Sequence, residues 1–160
     1  MAKANIKTNA MRILEKANIP FQAHTYDHGD SAIDGVSVAH KLGQDEKQVF
    51  KTLVTQGASH NYYVFVIPVA KELALKAAAR AVGEKSVEMI PVKSINQVTG
   101  YIRGGCSPIG MKKQFPTVLD ASALTCSTII FSGGKIGFQI EMAPQALLDL
   151  IHATTADITQ

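Results

Sequence analysis

The sequence predicts an α+β fold whose strands form a mixed or antiparallel sheet that curls toward a barrel. Two observations lead to this prediction. Several β-rich runs follow one another through short turns, so hairpins are frequent and strands do not alternate strictly with helices. Helical segments with recognisable start and stop signals flank and interrupt these runs. We take the 160 residues as one domain, 1–160, which is long enough to bury a core of its own.

Capping residues mark the predicted helices. Thr8 can accept a hydrogen bond from the first helical turn, and Gly43 and Gly83 can take the left-handed conformation that ends a helix. Pro91 is well placed as the first residue of a helix, because its missing N–H has no partner there in any case. The predicted helices cover residues 8–17, 37–42, 75–82, a segment beginning at Pro91, and 144–151.

The strands are predicted from runs rich in β-branched and aromatic residues bounded by turn signals. Glycine and polar residues at 57–61 and 132–135 indicate two hairpin turns. A polar loop at 27–31 follows the first strand. The predicted strands cover residues 21–26, 49–55, 62–68, 87–90, 117–119, 128–131 and 138–142.

Composition and charge narrow the class of protein. The formal net charge of +3 and pI of about 8.9 suit a polyanionic partner. The lysines are scattered, so contact with a nucleic acid would be limited to a short piece of it. The first residues lack the apolar core of a secretory signal, no apolar run is long enough to cross a bilayer, and two cysteines are too few for a disulfide scaffold. We therefore expect a cytoplasmic protein without a membrane partner.

Residues 100–110 form a glycine-rich segment that cannot be regular helix or strand throughout. Glycines allow a backbone to approach a ligand closely and to point amide N–H groups at an oxygen. The alternative is a plain surface turn. Arg103 and Lys112, which flank the core of the segment, favour a ligand site.

Lys51 lies in an otherwise mostly apolar strand, on the same face as Val49 and Leu53. A lysine in this position either extends its amine to the surface or points into a pocket where its charge is used. The residue types alone leave both alternatives open.

The sequence gives weaker support for a protein nucleophile or a metal site than for the glycine-rich segment. Cys106 lacks a histidine nearby in sequence, and a small packed thiol is the more common role for such a residue. His24 and His28 have the spacing of helical metal ligands but fall across a strand end and a loop, and nothing completes a zinc or iron site. We expect neither a metal nor a cofactor.

Together, several stretches resemble the YbaK family. They are residues 7–21, the motif 49–53, the run 100–113, and the turn 132–135 followed by Gly137. The likeness runs in order along nearly the whole chain. It implies a barrel-like mixed sheet wrapped by helices, related to the editing domain of bacterial prolyl-tRNA synthetase, in agreement with the α+β prediction.

The resemblance also implies an activity and a set of site residues. YbaK-like proteins remove wrongly attached amino acids from tRNA, and their preferred substrate is Cys-tRNA(Pro), with some action on Cys-tRNA(Cys). The family's essential lysine corresponds to Lys51, its Gly-x-x-x-Pro loop to residues 104–108, and its tyrosine and serine to Tyr26 and Ser132. The family commonly has an aliphatic residue at the position of Cys106, which favours packing for that thiol.

These correspondences assign roles at the ester that joins the amino acid to the terminal adenosine. The ester is already activated, so positioning and stabilisation of the oxyanion are the main requirements. Lys51, Gly104 and Gly105 are the predicted catalytic residues, with Lys51 on the terminal phosphate or ribose and the two glycine N–H groups on the carbonyl oxygen. The predicted substrate-binding residues are Tyr26, Ser107, Pro108 and Ser132.

The resemblance implies that the nucleophile is the thiol of the substrate's own cysteine, which leaves as a cyclic thiolactone. The reaction would then be that of a lyase, because no water is consumed, rather than that of a hydrolase. The alternatives are attack by water on cysteine or another small amino acid such as alanine, a thiol enzyme using Cys106, and a non-catalytic tRNA-binding accessory of prolyl-tRNA synthetase. Recognition of one tRNA species suggests a transient complex with that synthetase.

Overall fold

The computed structural model describes residues 7–27 and 35–160. Most of the predicted polar loop at 27–31, including His28, lies outside them. The described helices are α1 (Asn9–Lys16), α2 (Gly35–Lys41), α3 (Leu75–Val82), α4 (Ile95–Thr99) and α5 (Pro144–Ile151). The strands are β1 (Gln22–Thr25), β2 (Phe50–Gly57), β3 (Tyr62–Pro68), β4 (Val87–Met89), β5 (Thr117–Asp120), β6 (Ile129–Ser132), β7 (Phe138–Met142) and β8 (Thr154–Ala156). Short 3-10 helices cover Val92–Ser94 and Ala121–Thr125.

The helix termini follow the capping signals in the sequence. The Thr8 hydroxyl accepts a hydrogen bond of 3.2 Å from the Met11 N–H at the start of α1. Gly43 and Gly83 have φ angles of +67° and +74°, which only glycine adopts without strain. Pro91 lies one residue before the 3-10 turn that leads into α4 instead of opening the helix itself.

The strands form two sheets, with the orders β1-β7-β6 and β4-β2-β3-β5-β8. Pairing is antiparallel within the smaller sheet and between β2 and its neighbours, whereas β5 pairs in parallel with β3 and β8. The α+β class with a mixed, mostly antiparallel arrangement is therefore confirmed.

The barrel-like shape expected from the sequence is not confirmed, because the described strands form two sheets that do not close into a barrel. Among the described residues, backbone pairing between the two sheets is limited to one isolated parallel bridge, between Val49 and Ile130. Each sheet keeps two edge strands, and β8, which the sequence pattern did not predict, forms one of them beside β5. Three residues of β8 are too few to produce a pattern that distinguishes a strand from a loop.

The main core lies between α1, α5, the smaller sheet and one face of the larger sheet. Phe50, Val64 and Val66 contribute from that face, and Phe131 and Ile140 from the smaller sheet. A second cluster packs α3 against the opposite face of the larger sheet. Within the described residues, no helix is long and apolar enough to span a membrane.

Candidate active site

A cavity of about 730 Å³ opens where β2, the smaller sheet and the glycine-rich segment meet. β4 pairs with β2 at residues 55–57, beyond the residues of β2 that line the cavity, which are 50–53. Four of the predicted site residues line this cavity, namely Tyr26, Lys51, Gly104 and Ser132. Residues far apart in the sequence thus meet at one place.

Lys51 is half-buried in the wall formed by β2. Val49, Leu53 and Val69 line the same cavity and make part of its wall apolar. In the described part of the chain, no carboxylate forms an ion pair with Lys51. Arg103 is a second cation in the lining, and the lining residues described include no aspartate or glutamate. The cavity therefore suits a ligand that carries negative charge.

The glycine-rich segment forms a turn at Gly104. The Gly105 N–H donates a hydrogen bond of 2.9 Å to the Ile102 carbonyl, and Gly104 between them has a φ of +86°. This is the left-handed backbone that the third position of a type II turn requires. The Gly105 N–H is already used by this turn. Of the two glycines predicted as oxyanion donors, Gly104 lines the cavity and Gly105 is not among the described lining residues.

Gly105 is needed for close packing beneath the cavity. A Cβ atom at this position would lie 3.1 Å from the Ile136 nitrogen and 3.3 Å from the Lys135 Cα. The absence of a side chain therefore lets the glycine-rich segment rest directly on the backbone of the turn that joins β6 and β7.

Ser107 and Pro108, which the sequence predicts as substrate contacts, are buried and are not among the lining residues. The Ser107 Oγ accepts a hydrogen bond of 3.3 Å from the Ile109 N–H. Both residues are therefore buried parts of the glycine-rich segment, and the Ser107 hydroxyl helps to fix its backbone.

Ser132 and Tyr26 lie at the ends of strands in the smaller sheet. The Ser132 Oγ accepts a hydrogen bond of 3.2 Å from the Gly134 N–H, and its hydroxyl hydrogen can still be donated. The Tyr26 N–H donates to the Gly137 carbonyl at 3.0 Å, which holds the end of β1 beside the turn. Both side chains are half-buried in the cavity wall.

Cys106 also lines the cavity, but its environment makes it a poor nucleophile. Burial raises the pKa of its thiol to about 11, against a smaller opposing effect of a hydrogen bond with Thr99. The thiol is therefore protonated near neutral pH, and the thiolate is the reactive form. The described lining residues include no histidine that could serve as its base.

Sequence reasoning missed Thr52 and Gln139. Both line the cavity, and the buried Thr52 Oγ1 has no hydrogen-bond partner among the described residues. A buried hydroxyl without a partner is costly, which points to a ligand or water as its missing partner. No pattern could have revealed it, because threonine is an ordinary strand residue.

His24 belongs to a polar network outside the main cavity. Its Nε2 lies 2.7 Å from the Glu141 Oε1, and the Thr128 hydroxyl donates to the other oxygen of Glu141 at 2.5 Å. These hydrogen bonds, with that of Thr128 making the larger contribution, hold the pKa of Glu141 below its usual range. Among the described residues, no three histidine, cysteine or acidic side chains are grouped to hold a metal ion.

Comparison with known proteins decides the family. The model of the aminoacyl-tRNA editing domain matches residues 32–150. The chain belongs to this family. The resemblance seen in residues 49–53 and 100–113 is thereby confirmed. Editing of aminoacyl-tRNA releases the amino acid, so the predicted enzyme class, an aminoacyl-tRNA deacylase, is confirmed as well.

A curated relative agrees with the assignment of this chain to the editing-domain family. It is 48% identical, over 98% of its length and 96% of the relative, to a protein of Enterococcus faecalis (strain ATCC 700802 / V583). That protein's name describes it as a proposed Cys-tRNA(Pro)/Cys-tRNA(Cys) deacylase, EbsC.

Two solved structures share the fold of this editing domain. One is the hypothetical protein APE2540, with a TM-score of 0.83 and 22% identity over 93% of this chain and 97% of that one. The other is described as a proposed trans-editing enzyme for prolyl tRNA synthetase, with a TM-score of 0.79 and 23% identity over 97% and 99% of the two chains.

Proposed function

We propose that this editing-domain protein acts as a single free-standing domain that removes cysteine from mischarged Cys-tRNA(Pro), and also from Cys-tRNA(Cys). The observation that supports it best is the cavity that joins Lys51 to the glycine-rich segment in a chain 48% identical to a relative named for this activity. Its site of action is the cytoplasm, where aminoacyl-tRNA is made and used.

In the proposed complex the 3′-terminal adenosine enters the cavity with its aminoacyl ester. Lys51 contacts the terminal phosphate or ribose, where a compact ammonium suits phosphate. The Gly104 N–H faces the carbonyl oxygen on which negative charge develops. Tyr26 and Ser132 bound the space around the acyl group, and Thr52 Oγ1 gains from the substrate the hydrogen bond it lacks.

The proposed nucleophile is the thiol of the substrate cysteine. Its sulfur attacks the carbonyl carbon, the ester bond to the ribose breaks, and the thiol proton ends on the leaving ribose hydroxyl. The amino acid leaves as a cyclic thiolactone. The raised pKa of Cys106 supports this route over a thiol enzyme, because the protein's own thiol is largely protonated. Attack by an ordered water on the same carbonyl is the competing route.

We further propose that a transient complex with prolyl-tRNA synthetase selects the tRNA. The cavity accepts one nucleotide end, and the lysines of this chain are too scattered to bind more than a short stretch of nucleic acid, so most of a tRNA lies beyond reach. A non-catalytic accessory role is disfavoured, because the family edits aminoacyl-tRNA.

The test of the function is a panel of aminoacyl-tRNAs incubated with the purified protein, with release of each amino acid followed over time. We expect rapid release from Cys-tRNA(Pro), slower release from Cys-tRNA(Cys), and little from Ala-, Ser- or Pro-tRNA(Pro). Faster release of alanine than of cysteine would replace cysteine by another small amino acid as the substrate.

A further inference from the structure

Positive charge is distributed unevenly along the chain. Residues 89–140 contain five lysines and arginines and a single acidic residue, Asp120. Asp120 is 3% exposed and accepts hydrogen bonds from Ser122 and from the Ile158 N–H, so it contributes little to the surface. In the rest of the chain eleven basic residues are matched by twelve acidic ones. The excess positive charge therefore belongs to the segment that contains the glycine-rich part of the active site.

Lys135 lies at the edge of the cavity. Its backbone packs on Gly105, and its Nζ is 6.0 Å from the centroid of the Phe138 ring, which lines the cavity. The residue itself is exposed. Its ammonium is thus beside the cavity but outside the set of lining residues.

Lys112 follows the glycine-rich segment in sequence and packs against Gly100, the first residue of the segment. Its Cγ would be 3.0 Å from a Cβ atom at Gly100, its N–H donates to the Thr99 carbonyl at 2.9 Å, and its Nζ reaches the Gln97 carbonyl at 3.4 Å. It is exposed, and the described ion pairs involve neither Lys112 nor Lys135. Two cations without carboxylate partners among the described residues therefore contact the glycine-rich segment, Lys112 at Gly100 and Lys135 at Gly105.

We propose that Lys112 and Lys135 form a phosphate-binding edge for the single-stranded 3′ end of tRNA, which guides the nucleotides before the terminal adenosine across the glycine-rich segment. This inference rests on the proposed function and adds the direction from which the substrate enters. Two separated cations suit a flexible single strand, whereas a long duplex is usually bound by denser basic clusters. Exposed lysines contribute mainly through charge, so their attraction for phosphate depends on salt.

The test compares two double variants that remove the same charge. The edge variant, Lys112→Gln/Lys135→Gln, removes the phosphate-binding edge. The control, Lys76→Gln/Lys85→Gln, removes one exposed lysine within α3 and one shortly after it, both outside residues 89–140 and outside the cavity lining. Each is assayed with Cys-tRNA(Pro) and with cysteinyl-adenosine, which lacks the preceding phosphates. Binding of a single-stranded RNA oligonucleotide ending in CCA is measured separately at several salt concentrations.

We expect the edge variant to raise KM for Cys-tRNA(Pro) by roughly three- to tenfold, with a much smaller loss on cysteinyl-adenosine. The slope of log affinity for the oligonucleotide against log salt should fall by about 0.7 for each phosphate that a lysine no longer neutralises. The control should stay near the parent in both measurements. The proposal would be overturned if the two double variants had the same KM and RNA affinity. It would also be overturned if the edge variant lost as much activity on cysteinyl-adenosine as on Cys-tRNA(Pro).

The oligonucleotide measurement separates this proposal from the proposed function. If the parent protein binds the RNA through these lysines but releases no cysteine, the function fails and the phosphate-binding edge stands. If it releases cysteine normally while the edge variant binds RNA as the parent does, the edge fails and the function stands. Weakened binding of an acidic peptide or of anionic vesicles, with RNA binding unchanged, would likewise overturn the edge.

Discussion

The aromatic ring of Tyr101 lies against Gly134, so that a Cβ atom added at Gly134 would come within 3.2 Å of the Tyr101 Cε1. The hydroxyl of the same ring donates a hydrogen bond of 2.5 Å to the Ile109 carbonyl. Burial raises the pKa of Tyr101 to about 12, so the hydroxyl keeps its proton and remains a donor. Tyr101 thereby connects the glycine-rich segment to the turn between β6 and β7, two parts of the candidate active site that are distant in sequence.

Gly134→Ala should destabilise the protein for two reasons. Gly134 has a φ of +97°, and alanine in such a conformation costs about 1–2 kcal/mol. The new methyl group would also crowd Tyr101. Gly43→Ala is the matched control, because Gly43 has a φ of +67° with nothing within 4 Å of an added Cβ. Denaturant unfolding should show a larger loss of free energy for Gly134→Ala, and equal losses would mean that packing against Tyr101 is unimportant.

Lys51→Ala should nearly abolish release of cysteine from tRNA while the fold survives, because its charge faces a cavity rather than an acidic partner. Lys51→Arg should recover little, since a planar guanidinium does not replace a compact ammonium in a tight site. Lys47→Ala removes an exposed lysine of the preceding segment and should leave the rate close to the parent's. Deacylation rates would be compared with circular dichroism spectra. A folded Lys51→Ala protein with normal turnover would refute the assignment.

Cys106→Ala should retain most of the activity, because a thiol with a pKa of about 11 is protonated at neutral pH. Cys126→Ala, which changes the other half-buried cysteine, is the control and should behave in the same way. The measurement is kcat/KM on Cys-tRNA(Pro), with thermal unfolding as a check on folding. Selective loss of activity in a folded Cys106→Ala protein would make the enzyme's own thiol the nucleophile.

tRNA charged with S-methylcysteine should bind but resist cleavage if the substrate thiol is the nucleophile. Ser-tRNA should also be a poor substrate despite its similar size, because a hydroxyl is a far weaker nucleophile than a thiol near neutral pH. Single-turnover release rates from the three substrates would be compared with the unmodified protein. Release of S-methylcysteine as fast as of cysteine would exclude thiolactone formation and establish attack by water.

Glu141→Gln should lower the free energy of unfolding at neutral pH and should lower it by less in acid. Hydrogen bonds from Thr128 and His24 lower the pKa of the carboxyl in the folded protein below the 4.5 that is ordinary for glutamate. A lowered pKa stabilises the fold at pH values above 4.5, and this contribution is lost as the pH falls through the lowered pKa. The difference in free energy of unfolding between parent and variant should therefore narrow below pH 4.5.

The control for this measurement is Glu88→Gln, an exposed glutamate in β4. It should change stability little at any pH. If the difference in free energy of unfolding between the parent and Glu141→Gln stays constant from neutral pH into acid, the charge on Glu141 is not what stabilises the network.

Local signals in the sequence were enough to predict most elements of this protein. Thr8, Gly43 and Gly83 mark helix ends through backbone conformations and hydrogen bonds that involve only neighbouring residues, and the structure confirms all three. β3, α3, β7 and α5 have the predicted bounds, because their apolar patterns are long and their flanking turn residues are clear. The four stretches 7–21, 49–53, 100–113 and 132–137 together indicated the family, which the family model confirms.

Tertiary structure alone decided how the site is assembled. Lys51 lines a cavity because Arg103, Ser132 and other residues distant in sequence are brought beside β2, which no residue of the Lys51 motif encodes. The close packing of Gly105 on the backbone of the β6–β7 turn, and the contact of Tyr101 with Gly134 in that turn, join parts of the chain that the sequence does not show to be neighbours. The order of the strands in the two sheets was also not predictable, because strand pairing is long-range and a residue's pattern specifies which face it presents but not which strand it meets.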